Sequence, residues 1–140
     1  MKEFQRSKDK NKLVISLGDP AGIGTEITLK SLGSEKLNKN IKPLLIGCKN
    51  NIYETYSKLI DHGINNIPNP NNLDIIDIPL EKKITPGIVN KDSGSASFKW
   101  LYKATKLVLE KKGRALVTAP ISKIAWYKSG HQYTGQTELL

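Results

Sequence analysis

The stretch that most constrains this chain is residues 13–33. Leu13-Val-Ile-Ser-Leu17 is a short apolar run, Gly18-Asp-Pro-Ala-Gly-Ile-Gly24 is a loop with three glycines and a proline, and Thr25-Glu-Ile-Thr-Leu-Lys-Ser-Leu32 has helical apolar spacing closed by Gly33. Together they read as strand, tight turn and helix. Glycine at 18, 22 and 24 lets the backbone come close to whatever lies above the strand end. The free N–H groups of the following helix point to the same place. The spacing is neither a Walker loop, which needs Gly-Lys-Ser/Thr, nor the dinucleotide pattern Gly-x-Gly-x-x-Gly. Two readings therefore stand: a bare strand-to-helix connection, or a cofactor cradle formed by Gly18, Asp19, Gly22 and Gly24. Asp19 either faces that cofactor or orients the loop through an Asx-type hydrogen bond.

The same unit repeats along the chain. Residues 1–12 form a charged tail, and residues 13–140 form the α/β portion. A second strand is expected at residues 43–47. A helix follows over 51–62, with Ile52, Tyr56, Leu59 and Ile60 on one face and Gly63 as its stop. An Asn- and Pro-rich loop, 65–72, leads to a third strand over 73–78, ended by Pro79. The spacing of Ser97, Trp100, Leu101, Ala104, Leu107 and Val108 predicts a helix over 95–112 capped by Gly113. Ala115-Leu-Val-Thr118 is the next strand, a turn runs to Lys123, and a short helix passes through Trp126 to Gly130. Such alternation indicates a doubly wound, largely parallel sheet, in which ligands sit beyond the C-terminal strand ends. The glycine loop and residues 118–123 both fall at that edge.

Composition narrows the classes further. With 38% hydrophobic and 25% charged residues the chain has the make-up of an ordinary globular domain. Its one cysteine, Cys48, allows no internal disulfide and no cysteine-based zinc site, which fits the reducing cytoplasm. No apolar run has the length of a signal peptide core or a membrane span, so no membrane association is expected. The net charge of +9 invites a nucleic-acid reading, but only Arg6 and Arg114 among the 22 basic residues are arginine and the lysines are scattered. Phosphate and base recognition favours the forked guanidinium, so no nucleic-acid partner is expected.

Four motifs in order carry a family resemblance: Gly18-Asp-Pro-Ala-Gly-Ile-Gly24, Ser93-Gly94 opening a long helix, Val117-Thr-Ala-Pro-Ile-Ser-Lys123, and Thr134-Gly-Gln-Thr-Glu138. The chain from Leu13 onward resembles the 4-hydroxythreonine-4-phosphate dehydrogenases of pyridoxal phosphate biosynthesis. The resemblance implies an isocitrate/isopropylmalate dehydrogenase-like fold and oxidation of 4-phosphooxy-L-threonine with NAD or NADP. Decarboxylation to 3-amino-2-oxopropyl phosphate would follow, assisted by a divalent metal (Zn, Mg or Co) in a homodimer. In the family's Thr-Gly-His-Thr-Glu motif the His and Thr contact substrate; carried over, these are Gln136 and Thr137. Glutamine keeps an acceptor and two donors but cannot take a proton. Family members are more than twice as long, and their metal-binding histidines lie beyond position 140. The chain therefore resembles a truncated, N-terminal part of a longer dehydrogenase, with no metal ligands of its own and inactive alone. A paralogue acting on another phosphorylated four-carbon acid, or an inactive fragment serving as a binding module, are the alternatives.

The remaining candidates have bland readings beside functional ones. Lys123 ends a loop at the ligand edge, where it meets a phosphate or the reacting hydroxyl as a catalytic group, or is a surface lysine. His62 is read as a helix C-terminal cap and His131 as a solvated turn residue, rather than as ligands. Trp100 and Trp126 are read as packing residues.

Overall fold

The computed structural model describes residues 11–140, so most of the charged tail lies outside the described residues. Four strands form one parallel sheet in the order β3-β2-β1-β4: β1 (Lys12–Ser16), β2 (Lys42–Gly47), β3 (Asp74–Asp77) and β4 (Ala115–Thr118). The expected parallel α/β architecture is present, with β1 opening one residue earlier than the sequence suggests. Ile15 stands opposite Leu45 and Val117, and Val14 opposite Leu44 and Leu116. Because side chains alternate along a strand, these two sets look to opposite faces.

The helices cover both faces. On the Leu13 and Ile15 side, α1 (Gly24–Leu32) lies along an apolar groove with Ile27 and Leu32, and α2 (Lys49–Asp61) packs on α1. On the Val14 side, α3 (Lys91–Leu109) crosses β1, β2 and β4. The core closes around Val14, Leu29, Leu45, Ile46, Ile52 and Trp100, all fully buried. Each such aliphatic side chain withdrawn from water contributes roughly 1.5–3 kcal/mol. Two short helices, α4 (Lys123–Lys128) and α5 (Gln136–Leu139), complete the chain. Among the described residues no helix is long and apolar enough to cross a membrane.

The long helix differs from its expected bounds at both ends. It begins at Lys91 because Asn90 caps it, its Oδ1 accepting the Ser93 N–H at 2.8 Å. Apolar periodicity misses that polar first turn. At the other end Lys111, not Gly113, adopts the left-handed conformation, with φ 59°. The Lys112 N–H reaches the Leu107 carbonyl and the Lys111 N–H the Val108 carbonyl, both at 2.9 Å, which is a Schellman closure. Gly113 serves packing instead, since a Cβ there would stand 2.5 Å from Val14 Cγ2. Helix α2 closes in the same way, but through Gly63 at φ 82°, as its sequence suggests.

Candidate active site

Both loops singled out by the sequence leave the C-terminal edge of the sheet, and they touch. The Asp19 carboxylate accepts the Ala21 N–H at 2.8 Å, while the Asp19 carbonyl accepts the Gly22 N–H at 2.9 Å, so the turn is closed twice. The Asp19 N–H then donates to the Pro120 carbonyl at 2.9 Å. Gly18 has φ 75°, and a Cβ on it would lie 2.2 Å from that same carbonyl. A Cβ on Gly24 would lie 2.0 Å from the Leu17 carbonyl. A Cβ at either of these two glycines would therefore run into the chain's own carbonyls, and of the three loop glycines only Gly22 is exposed.

The second loop is built for presentation. The Ala119 N–H donates to the Ser16 carbonyl at 2.9 Å, extending the β1–β4 ladder, and Ser122 caps α4 by accepting the Ala125 N–H at 3.2 Å. That cap places exposed Lys123 at the first position of α4, which is anchored by the buried Trp126 donating from Nε1 to Ser97 Oγ at 2.9 Å. After Gly130 the chain turns back over α3. His131 lies flat on Phe98 with ring centroids 3.5 Å apart, and Tyr133 packs on the same phenyl ring. The expected solvated turn histidine is thus a half-buried stacking residue, and desolvation holds its pKa below the usual 6.5. The reason is tertiary: Phe98 lies one helix away in sequence and offers a flat apolar surface.

This anchored turn delivers the Thr134-Gly-Gln-Thr-Glu138 segment. Glu138 accepts the Thr134 N–H, and that backbone hydrogen bond, with the Thr134 hydroxyl second, holds its carboxyl below the ordinary carboxylate value. Gln136 donates from Nε2 to the Ala119 carbonyl at 3.3 Å. A carbonyl only accepts, so the amide nitrogen must face it. The other amide atom, Oε1, is buried and has no partner among the described residues. The end of Lys123 lies over Gly135, where a Cβ would meet Cε at 3.4 Å and Nζ at 3.9 Å. Pro120, Lys123, Gly135, Gln136, Thr137 and Glu138 line one open depression of about 510 Å³.

The structure thus brings together Lys123, Gln136 and Thr137, while Gly18, Asp19, Gly22 and Gly24 do not line that depression. His62 is a helix-end residue as expected, its Nδ1 donating to the Lys58 carbonyl at 2.7 Å. Trp100 and Trp126 are fully buried packing residues. Glu138 and the Ala119 carbonyl were missed as parts of the site. A signal for Glu138 existed, because an acid in the first turn of a short helix suits the free N–H groups there. The role of Ala119 depends on a contact across the sheet edge and left no local trace. Among the described residues no three His, Cys, Asp or Glu side chains cluster to hold a metal ion.

Comparison with known proteins bears on the family and the fold. A profile of the family described as pyridoxal phosphate biosynthetic protein PdxA matches residues 34–140. A 4-hydroxythreonine-4-phosphate dehydrogenase of Synechococcus sp. (strain RCC307) is 46% identical over 129 residues, which are 92% of this chain and 38% of that protein. A D-threonate 4-phosphate dehydrogenase of Pectobacterium atrosepticum is 36% identical over 139 residues, 91% of this chain and 42% of that one. The crystal structure of a 4-hydroxythreonine-4-phosphate dehydrogenase from Burkholderia phymatum aligns with TM-score 0.81 at 26% identity, over 93% of this chain and 42% of the other. One from Klebsiella pneumoniae aligns with TM-score 0.75 at 31% identity, over 92% and 43%. The chain accordingly spans about two fifths of the length of the relatives it matches. With its profile match running from Ser34, just after α1, to Leu140 and its sheet aligned on those structures, the chain belongs to the PdxA family of pyridoxal phosphate biosynthetic proteins.

Proposed function

We propose that this chain is part of an NAD(P)-dependent dehydrogenase that oxidises 4-phosphooxy-L-threonine, the product losing carbon dioxide to give 3-amino-2-oxopropyl phosphate in vitamin B6 biosynthesis. The observation that carries this reading is the convergence of Lys123, Gln136 and Thr137 on one depression, in a chain whose relatives bear the name of that activity. In this reading the Lys123 ammonium meets the phosphate or the reacting hydroxyl. The Thr137 hydroxyl hydrogen-bonds the substrate without changing the local charge. Gln136 binds through its amide but relays no proton. Hydride acceptance by NAD or NADP and polarisation of the reacting oxygen by a divalent ion (Zn, Mg or Co) are not assigned to residues of this chain. The 140 residues alone are accordingly read as inactive, and the working enzyme as a longer cytoplasmic chain in a homodimer.

A second reading, a dehydrogenase of phosphorylated threonate, is favoured by the likeness to the Pectobacterium protein. An assay of the full-length protein carrying this segment, on 4-phosphooxy-L-threonine and on D-threonate 4-phosphate, separates the two. Thr137→Val keeps the shape and removes the hydroxyl. It is expected to lower kcat/KM by about one to two powers of ten, because a hydrogen bond to a charged group is worth roughly 1.5–3 kcal/mol. Turnover of neither substrate, or a Thr137→Val value within twofold of the parent, overturns the assignment.

A further inference from the structure

We propose that Asp19 is a positioning residue for the Lys123 and Gln136 wall of the candidate site. The inference rests on the functional reading above and assigns Asp19 a task outside cofactor contact. Its side chain does not line the depression and is buried in its own turn. What it controls is the aim of a backbone group. With Oδ1 holding the Ala21 N–H at 2.8 Å and its carbonyl holding the Gly22 N–H at 2.9 Å, the turn has one direction in which to point the Asp19 N–H. That direction is the Pro120 carbonyl, 2.9 Å away.

Pro120 is the pivot of the site. It lines the depression itself, and it lies between Ala119, whose carbonyl holds Gln136 Nε2 at 3.3 Å, and Ser122, whose cap starts the helix that carries Lys123. Ala119 is fixed on its other side by its N–H to Ser16. A loosened Asp19 turn therefore releases one of two backbone bonds that hold residues 119–120 against β1. Gln136 and Lys123 then move together, since both hang from that segment. Displacing groups that hold the substrate equally in its bound and reacting states raises KM and leaves kcat little changed. The task needs an acceptor oxygen and no charge, and asparagine supplies the same acceptor in an Asx turn.

The test uses the full-length protein carrying this segment, with Asp19→Ala and Asp19→Asn. Asp19→Ala is expected to raise KM for the phosphorylated substrate by about tenfold, with kcat within about threefold, as for groups that hold substrate rather than react. Amide exchange should quicken at residues 119–123 and 134–138. Asp19→Asn should restore both readouts, and its pH profile of kcat/KM should overlay the parent's. A folded Asp19→Ala protein with KM within twofold of the parent overturns the proposal. So does a folded Asp19→Asn protein that loses as much as the alanine variant, because the charge is then in use; this arm decides even where Asp19→Ala does not fold. Turnover of neither phosphorylated acid by the parent sinks the functional reading instead, and the exchange comparison still tests Asp19.

Discussion

Two loops leave the same edge of the sheet and use their polar groups in opposite directions. The glycine loop turns inward: its carboxylate and N–H groups are engaged with itself and with the neighbouring loop, and two of its glycines stand where a carbonyl leaves no room for a side chain. The 134–138 turn, held from behind by the Phe98, His131 and Tyr133 stack, turns outward and lines an open depression. A glycine-rich turn after a strand therefore has two physical explanations, and proximity of backbone to backbone is one of them. The turn without a glycine-rich signature is the one with ligand-sized space.

The strongest way to break this contrast is within the glycine loop. Gly24→Ala drives a Cβ to 2.0 Å from the Leu17 carbonyl, an atom the strand cannot withdraw, and should cost about 3 kcal/mol or more. Gly22→Ala meets nothing closer than the Asp19 carbonyl at 3.4 Å, and should cost less than about 1 kcal/mol. Urea unfolding of the two variants measures the gap, and equal losses would mean that packing does not explain these glycines. A smaller effect is expected on the outward turn. Gln136→His in the full-length protein should leave stability within about 0.5 kcal/mol. It should also give kcat/KM a pH dependence of about tenfold centred near the ordinary histidine pKa, higher on the acid side where the imidazolium is present. A flat profile would show that charge at this position is irrelevant to substrate.

The smallest effect concerns the stack behind the turn. His131 has its pKa lowered by burial in the folded state, so below its ordinary value of 6.5 the unfolded chain binds the proton more readily. Its contribution to stability is present above that pH and fades as pH falls through it. Thermal melts between pH 7.5 and 5.5 should show a slight decline that His131→Phe removes, whereas the lowered pKa of Glu138 acts only below the ordinary carboxylate value of 4.5. A decline of equal size in the variant would assign it elsewhere.

Much of this was legible in the sequence. Short apolar runs placed the four described strands and period-3.6 patterns the main helices, Gly63 marked a helix end, and four ordered motifs pointed to the family. Such signals are local, because a side chain's choice of face is set by its neighbours in the chain. The misses have two causes. Asn90 and Lys111 end α3 through local hydrogen bonds that apolar periodicity does not register. His131 owes its state to Phe98, and the glycine loop owes its closure to Pro120. Sequence by itself determined the order of elements, their faces and the end of the sheet at which a ligand belongs. Only the tertiary structure decided which loop at that end is filled and which is open, because the atoms that fill or line each space come from segments far apart in the chain.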